Sequence, residues 1–267
     1  MKTKEVYYNS ISEVIARANA PFPEDTAKIY SEDSREHGKS FTGTESFQEA
    51  SELAFKGWSA GRKRLLESQK EINFAGSCMS LDPAPFFDVA GDECNVARFL
   101  EGEPENMIEF QYEYSDKPAN KVQKITLDFC ASGSTPKDVF PRVGACMLMI
   151  ADALEGAGYR VEIDLSAISR TNGLRYESRI QLKPADQPLD LNALAFWSMH
   201  PSAFRRFWFA LYERDVPCEN FCSSYGSIDP VSKNHDEEIV LHIMDSHFQD
   251  DARTFEFCNE VLSRFND

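Results

Sequence analysis

The stretch VQKITLDFCASGS, residues 122–134, decides which fold this sequence predicts. An apolar strand ends there at Asp128 and runs into a loop of small residues. Residues 138–156 then carry a polar cap, an apolar stripe at helical spacing and a terminal glycine. A second strand follows at once over residues 159–165. Strand, helix and strand in this order predict a right-handed βαβ unit with parallel strands.

The remainder of the second half extends this pattern. Residues 174–183 alternate between apolar and polar side chains, which predicts an edge strand, and residues 238–244 form a further apolar strand. Two helical segments, 190–196 and 201–214, are dense in Phe and Trp; we assign them to core packing, and the alternative is an exposed apolar patch that docks a partner. With a terminal helix over residues 250–265, the pattern predicts an α/β fold with a doubly wound, mostly parallel sheet, whose ligands bind at the carboxyl ends of the strands.

The first hundred residues have a different character. The first 75 residues are polar and helical in pattern, and residues 80–105 are rich in Pro, Gly and acidic side chains, with one short helix from Asn95 to Leu100. Residues 107–114 alternate and predict a hairpin with the strand at 121–130. We therefore divide the chain into an N-terminal helical and loop-rich region, 1–105, that packs on the core, and an α/β domain, 106–267.

The charge of the chain is concentrated in two segments. Of the formal net charge of −16, residues 82–116 contribute ten acids against one base, and residues 229–256 contribute eight acids against two bases. Such acidity repels phosphate backbones, so nucleic-acid binding is disfavoured, and it attracts basic protein partners or divalent cations; the alternative is that it only maintains solubility. The candidate partner-binding residues lie in the first segment and are Glu101, Glu103, Glu105 and Glu109.

The sequence also indicates where the protein works. It contains no apolar stretch long enough to span a membrane, and its beginning, MKTKEVYYNS, has no apolar signal region, which predicts a cytoplasmic protein. Seven irregularly spaced cysteines fit buried thiols in a reducing compartment. A zinc site formed by Cys218, Cys222, His235, His242 and His247 is the alternative, although no CxxC pair supports it.

The segment Asp128-Phe129-Cys130-Ala131-Ser132 resembles the metal-ion-dependent adhesion motif, DxSxS, of von Willebrand factor A domains. The resemblance covers residues 121–265 and implies a Mg²⁺ site at Asp128 and Ser132, with Asp245 as the carboxylate from a third loop. Cys130 replaces the middle serine of the motif, and no threonine stands in the second loop. Since a thiol is a poor ligand for a hard cation, the motif implies a degenerate site that holds a divalent cation weakly or holds none.

The chain also resembles an uncharacterised family of tailed-phage and prophage proteins over nearly its whole length. The shared stretches are 41–44 (FTGT), 57–58 (GW) with Gly61, 88–91 (DVAG), 102–107 (GEPENM), 153–155 (ALE) and 158–162 (GYRVE). This resemblance implies a phage-encoded protein that acts in a bacterial cytoplasm. The family offers no activity to carry over.

No GxGxxG, P-loop, GxSxG or HExxH motif occurs, which favours a protein that is not an enzyme. Our leading hypothesis is an accessory interaction protein on a degenerate von Willebrand A-like scaffold. Cys130 is by itself a candidate nucleophile, because a helix N-terminus favours the thiolate. One alternative hypothesis is a metal-dependent enzyme acting on nucleotides or nucleic acid through Asp128, Asp245 and His247. The other alternative is a structural component of the virion. The sequence leaves the oligomeric state open.

Overall fold

The computed structural model of the chain describes residues 1–23, 31, 39–74, 85–89, 93–110, 121–131, 135–136, 138–221, 227–229 and 238–265. The strands are β1 (Lys2–Tyr8), β2 (Pro85–Asp88), β3 (Glu93–Cys94), β4 (Met107–Phe110), β5 (Val122–Asp128), β6 (Arg160–Thr171), β7 (Leu174–Lys183), β8 (Ser227–Ile228) and β9 (Glu238–His242). The α-helices are α1 (Ile11–Ala18), α2 (Lys39–Thr42), α3 (Phe47–Lys56), α4 (Ser59–Phe74), α5 (Val96–Leu100), α6 (Val139–Gly156), α7 (Leu191–Met199), α8 (Phe209–Asp215) and α9 (Asp251–Ser263). A π-helical segment, Ala203–Trp208, leads into α8.

The main sheet has the strand order β1-β7-β6-β5-β9, with the short β8 paired to β6. The pairs β5–β6, β5–β9 and β1–β7 are parallel, whereas β6 and β7 form an antiparallel hairpin. The sheet is therefore mostly parallel, and the predicted βαβ unit of β5, α6 and β6 is confirmed. Its helix begins directly after Asp138, and Pro141 lies in the first turn, where a missing amide hydrogen costs nothing.

Two predictions about strand pairing were wrong. The strand at residues 174–183 is not an edge strand, because β1 pairs along it from Lys2 opposite Leu174 to Tyr8 opposite Ile180. The segment that includes β1 had been interpreted as helical. The second error concerns β4, which does not form a hairpin with β5. It pairs with β2 and β3 in a separate three-stranded antiparallel sheet.

Seven of the described helices pack against one face of the main sheet. Alternate residues of the strands, such as Ile125, Leu127, Ile163 and Leu241, are fully buried and join one apolar cluster. The same cluster receives buried side chains from helices α1, α3, α4, α6, α7, α8 and α9. Helix α6 is buried almost all around, which explains why its sequence is apolar on more than one stripe. The N-terminal helices α3 and α4 are thus part of the same core as the βαβ unit.

The residues that alternate with this apolar set point to the second face of the sheet and are mostly polar. One cross-strand row consists of Tyr7, Arg179, Ser166, Asp128 and His242, taken from five successive strands. A doubly wound sheet carries helices on both faces. In the described ranges, the helices that join the core cover only the first face, so the prediction of a doubly wound arrangement is corrected for that part of the chain.

The aromatic segments behave as core. Phe196, Trp197, Phe207 and Tyr212 are fully buried, which agrees with the packing role assigned to them. None of the helices that the structure describes is long and apolar enough to cross a membrane.

Candidate functional site

The carboxyl ends of β5 and β9 bring Asp128 and His242 together. They are the last residues of their strands and lie directly opposite each other in the parallel register. The Asp128 Oδ2 atom lies 2.7 Å from His242 Nδ1, and both side chains are buried. The other carboxylate oxygen, Oδ1, accepts a hydrogen bond of 3.2 Å from the Cys130 amide. Asp128 therefore braces the turn that leaves the strand and joins that turn to β9.

This contact fixes the orientation of the imidazole ring. In the neutral ring whose Nδ1–H donates a hydrogen bond to the carboxylate, the other nitrogen, Nε2, carries a lone pair. His242 Nε2 is buried and has no hydrogen-bond partner among the described residues. A carboxylate-oriented imidazole is a suitable general base or metal ligand in chemical terms. For either role the pair needs further groups around it.

Cys130 does not provide a nucleophile for this site. Its sulfur accepts a hydrogen bond from Ile168 N at 3.1 Å and lies 3.2 Å from Ile168 O, so it continues the pairing of β6 beyond the end of β5. Burial, together with the nearby Asp128 carboxylate, raises the pKa of the thiol well above its ordinary value. Both observations argue against Cys130 as an activated nucleophile.

The second face of the sheet carries a chain of ion pairs. Glu177 accepts a hydrogen bond of 2.8 Å from Arg175 and another of 2.8 Å from Arg179. The Asp229 carboxylate lies 3.1 Å from Arg175 Nε and accepts a further bond of 2.8 Å from Arg170. Arg179 also lies 3.4 Å from a third carboxylate, Glu238, so each of the three arginines and three carboxylates in this group has an oppositely charged partner.

A second group on the same face surrounds Asp164. Its carboxylate is fully buried, and Lys124 Nζ lies 2.6 Å from its Oδ2 atom and 3.2 Å from Glu162. Burial raises the pKa of Asp164, although the ammonium group of Lys124 acts in the opposite direction. Both groups of charges are arranged as pairs and triads of opposite charge, which explains how this face of the sheet can hold buried carboxylates.

A third surface lies on α5, between β3 and β4. Val96, Phe99 and Leu100 share one face of this helix, and their exposed fractions are 65 %, 60 % and 79 %. The helix is firmly held: the Asn95 side chain accepts a bond of 3.1 Å from the Arg98 amide, and the Asn95 amide donates to Asn106 O at 2.7 Å. An ordered helix therefore presents three large apolar side chains to solvent.

Acidic residues follow this apolar face directly. Glu101 and Glu105 are exposed, and Glu103 is half-exposed and forms an ion pair with Arg98. Gly102, with a φ of 76°, lets the chain turn back towards β4 at this point. This surface, formed by Val96, Phe99, Leu100 and the three glutamates, is called the α5 surface below. Its composition suits a partner that offers both apolar and basic groups.

A comparison with protein-family models matches residues 2–266 to a domain of unknown function, DUF7192. The chain belongs to the DUF7192 family. The match confirms the prediction that an uncharacterised family covers nearly the whole chain. No curated protein and no solved structure matches this DUF7192 chain.

The structure describes Asp128 and Asp245, two of the three residues predicted for the metal site of this DUF7192 domain. Asp128 is bonded to His242 and to the Cys130 amide. Asp245 lies half-exposed in the turn after β9, where its amide donates to His242 O at 2.9 Å. Ser132 lies outside the described residues. Among the described residues, no three His, Cys, Asp or Glu side chains converge as metal ligands. The Mg²⁺ site stays a prediction without support in that part of the chain.

The structure also describes several of the other predicted site residues. His247 stacks on Phe257, with ring centroids 4.7 Å apart. For the zinc alternative, Cys218 is exposed, and Cys222 and His235 lie outside the described residues. Of the predicted partner-binding residues, Glu101, Glu103 and Glu105 belong to the α5 surface, while Glu109 is in β4 and only its backbone is described.

Two features of the site were missed from the sequence. The Asp128–His242 pair depends on the register between two strands that are 114 residues apart at this point, and no local pattern specifies it. The apolar face of α5 had a visible signal in the spacing of residues 96, 99 and 100. That spacing normally indicates a buried face, so only its exposure in the structure turns it into a candidate binding surface.

Proposed function

We propose that this DUF7192 chain is a protein-interaction module, encoded by a phage or prophage and active in the bacterial cytoplasm, that binds a basic and partly apolar segment of another protein through the α5 surface. The observation that carries the proposal is the exposure of Val96, Phe99 and Leu100 on one face of an ordered helix. Exposed apolar clusters of this kind, bordered by polar residues, are typical of protein–protein contacts.

The charge of the neighbouring segment selects the kind of partner. Glu101, Glu103 and Glu105 follow the apolar face and continue the acidic stretch that runs from residue 82 to residue 116. Acidic side chains around an apolar centre steer basic partners and repel acidic ones, while the apolar centre supplies most of the affinity. A basic peptide segment with two or three large apolar residues is therefore the occupant that fits the surface best.

The scaffold is proposed to be von Willebrand A-like in its second half. The order β7-β6-β5-β9, with β7 antiparallel to β6, supports this assignment, since the resemblance implies that the strand after the second parallel strand lies beside it; here β1 adds one more strand outside β7. The proposal needs no metal ion. The α5 surface lies before β5, outside the range that the resemblance covers, so binding through α5 does not depend on the assignment of the scaffold.

The test is affinity capture with the full chain in the bacterial host, followed by titration of each recovered protein with the purified chain. The triple variant Val96→Ser, Phe99→Ser, Leu100→Ser should lose the partner, and Phe99→Ala alone should weaken binding by roughly tenfold, as for a residue at the centre of an interface. Phe55→Ser is the matched control, because Phe55 is an aromatic residue with an exposed fraction of 75 % on α3.

A charge-reversal pair tests the acidic border separately. Glu101→Lys with Glu105→Lys should weaken binding and reduce its dependence on salt, whereas reversal of the exposed Asp186 and Glu219 should not. Three results would contradict the proposal. One is a partner that binds all α5 variants equally, and another is a chain that captures no α5-dependent protein. The third is a wild-type dimer, seen by sedimentation, that the triple variant dissociates, because the occupant is then a second copy of the chain.

A further inference from the structure

Two cysteine side chains meet inside the core, far from each other in sequence. Cys146 lies on α6 and Cys258 on α9, 112 residues later, and their Sγ atoms are 2.9 Å apart. Both residues are fully buried and belong to the main apolar cluster. The sulfur atoms are already closer than two non-bonded heavy atoms normally pack in a protein core, at about 3.5–4.0 Å.

The helices that carry the two thiols are fixed to each other at their N-terminal ends. Arg142, one turn before Cys146, donates from Nε to Asp251 at 2.7 Å and from Nη1 to Gln249 O at 3.0 Å. The Asp250 side chain caps α9 by accepting a bond of 2.8 Å from the Arg253 amide. The geometry that brings the sulfur atoms together is therefore maintained by polar contacts as well as by packing.

The other described cysteines are not placed to compete for either thiol. The Cys130 sulfur is bonded to the backbone of Ile168 in the sheet. Cys94 and Cys218 are exposed, whereas Cys146 and Cys258 are enclosed by the core. An oxidant that reaches the core would therefore act on one defined pair.

We propose that Cys146 and Cys258 form a redox-modifiable dithiol, which a peroxide converts into a reversible disulfide between α6 and α9. One thiol releases its proton, the thiolate attacks a peroxide oxygen, and the O–O bond breaks as the S–O bond of a sulfenic acid forms. The hydroxide that leaves takes up the released proton and becomes one water molecule. The second sulfur then attacks the sulfenic sulfur, the S–S bond forms, and a second water molecule leaves with the remaining thiol proton. The two thiols are oxidised by two electrons, and the peroxide is reduced to two molecules of water.

Burial sets the rate and the consequence of this reaction. Since neither sulfur is exposed in the folded chain, peroxide reaches the two thiols only when the structure opens locally. We expect this opening at α9, which carries Cys258 and is the last described helix of the chain. Oxidation should therefore be slow in the native state and faster at denaturant concentrations that open α9 but do not unfold the protein. Once formed, the disulfide closes a loop of more than one hundred residues and ties α9 to the central helix, which opposes unfolding.

The experiment treats the reduced full chain with hydrogen peroxide under native conditions. The expected product has a mass lower by two hydrogen atoms, a single cross-linked peptide pair containing residues 146 and 258, and a higher thermal midpoint. Dithiothreitol should reverse all three changes. Cys146→Ala and Cys258→Ala should each abolish the cross-link and the rise in midpoint, and Cys130→Ala is the matched control because Cys130 is also buried.

Hydrogen exchange on α9 shows whether the helix opens during the treatment, so a negative result can be interpreted. The proposal is overturned if the cross-link is absent although α9 opens, or if it forms only after complete unfolding. It is also overturned if peroxide produces other cysteine pairs or sulfinic acid in place of the 146–258 disulfide. None of these readouts depends on a partner at the α5 surface.

Discussion

His200 should make the stability of the protein depend on pH between neutrality and pH 4. Its ring is buried, stacks on Phe196 with centroids 5.1 Å apart and meets the edge of Trp58 at 4.7 Å. Its Nδ1 atom accepts a hydrogen bond of 3.1 Å from the Ser202 amide, which only a ring without a proton on Nδ1 can do. Burial lowers the pKa of His200 from 6.5 to about 4, and the Glu49 carboxylate opposes this change only in part.

The sign of the effect follows from the two pKa values. Between about pH 4 and pH 6.5 the unfolded chain binds a proton at this residue and the folded chain does not. Stability is therefore fully present above pH 6.5 and is lost as the pH falls towards 4. The difference between the two pKa values corresponds to a total loss of about 3 kcal/mol, of which about 2 kcal/mol should be gone at pH 5.

The assay is urea denaturation of the wild-type chain and of His200→Asn at pH 7, 6 and 5. Asparagine offers an oxygen to the Ser202 amide but does not titrate. The variant should be less stable than the wild type at pH 7, because the packing of the ring is lost. Between pH 7 and pH 5, its free energy of unfolding should fall by about 2 kcal/mol less than that of the wild type. Equal losses for the two proteins would refute the reasoning. A His200 ring that titrates near pH 6.5 in a proton NMR experiment would refute it as well.

Two further predictions concern residues that hold the fold together. Asp215 accepts hydrogen bonds from the buried Tyr8 and Tyr176 hydroxyls at 2.5 Å and 2.9 Å and from Arg17 at 2.8 Å. In urea denaturation, Asp215→Asn should therefore lower the free energy of unfolding by about 3–5 kcal/mol. The control Asp186→Asn, at an exposed site, should leave the free energy of unfolding almost unchanged. A cost below about 1 kcal/mol would contradict that role. Gly57 has a φ of 82°, and an added Cβ would lie 2.4 Å from Asn192 Cβ. Gly173 has a similar φ of 78°, but the space around it is open. Gly57→Ala should therefore destabilise the chain clearly more than Gly173→Ala, and equal losses of stability would contradict the steric argument.

The βαβ unit could be predicted because its signals are local. The strand pattern before Asp128, the apolar stripe of α6 and Gly158, which has a φ of 85° just after the helix, are all local features, and the structure places the helix within a residue of the prediction. Asp138 directly precedes the helix, although its side chain makes no capping hydrogen bond. The short helix α5 was predictable for the same reason, since Asn95 caps it and Gly102 follows it.

The first strand could not be found in this way. The burial of KTKEVYY alternates, with Lys4 and Val6 half-buried and Tyr8 buried. The inward position 4 is a lysine and the outward position 7 a tyrosine, however, so the apolar–polar alternation that indicates a strand is nearly absent from the sequence. What makes β1 a strand is its partner β7, more than 160 residues away, together with the Tyr8 hydroxyl bonded to Asp215. Both causes are tertiary, and neither leaves a local pattern in the sequence.

The same distinction explains why Asp128 was interpreted as a cation ligand. A carboxylate at the end of a parallel strand is commonly available to a ligand, and the sequence shows nothing that would occupy it. In the folded chain the register between β5 and β9 places His242 beside it, and the Cys130 amide takes the other oxygen. A cation at this position would have to displace the imidazole from Asp128 Oδ2 and so break a buried contact of 2.7 Å. The described residues do not supply the further ligands that such a cation would need. The degenerate motif and the bonded carboxylate therefore have one physical reading, in which Asp128 joins two strands, and this reading agrees with our proposal that the chain binds its partner through α5.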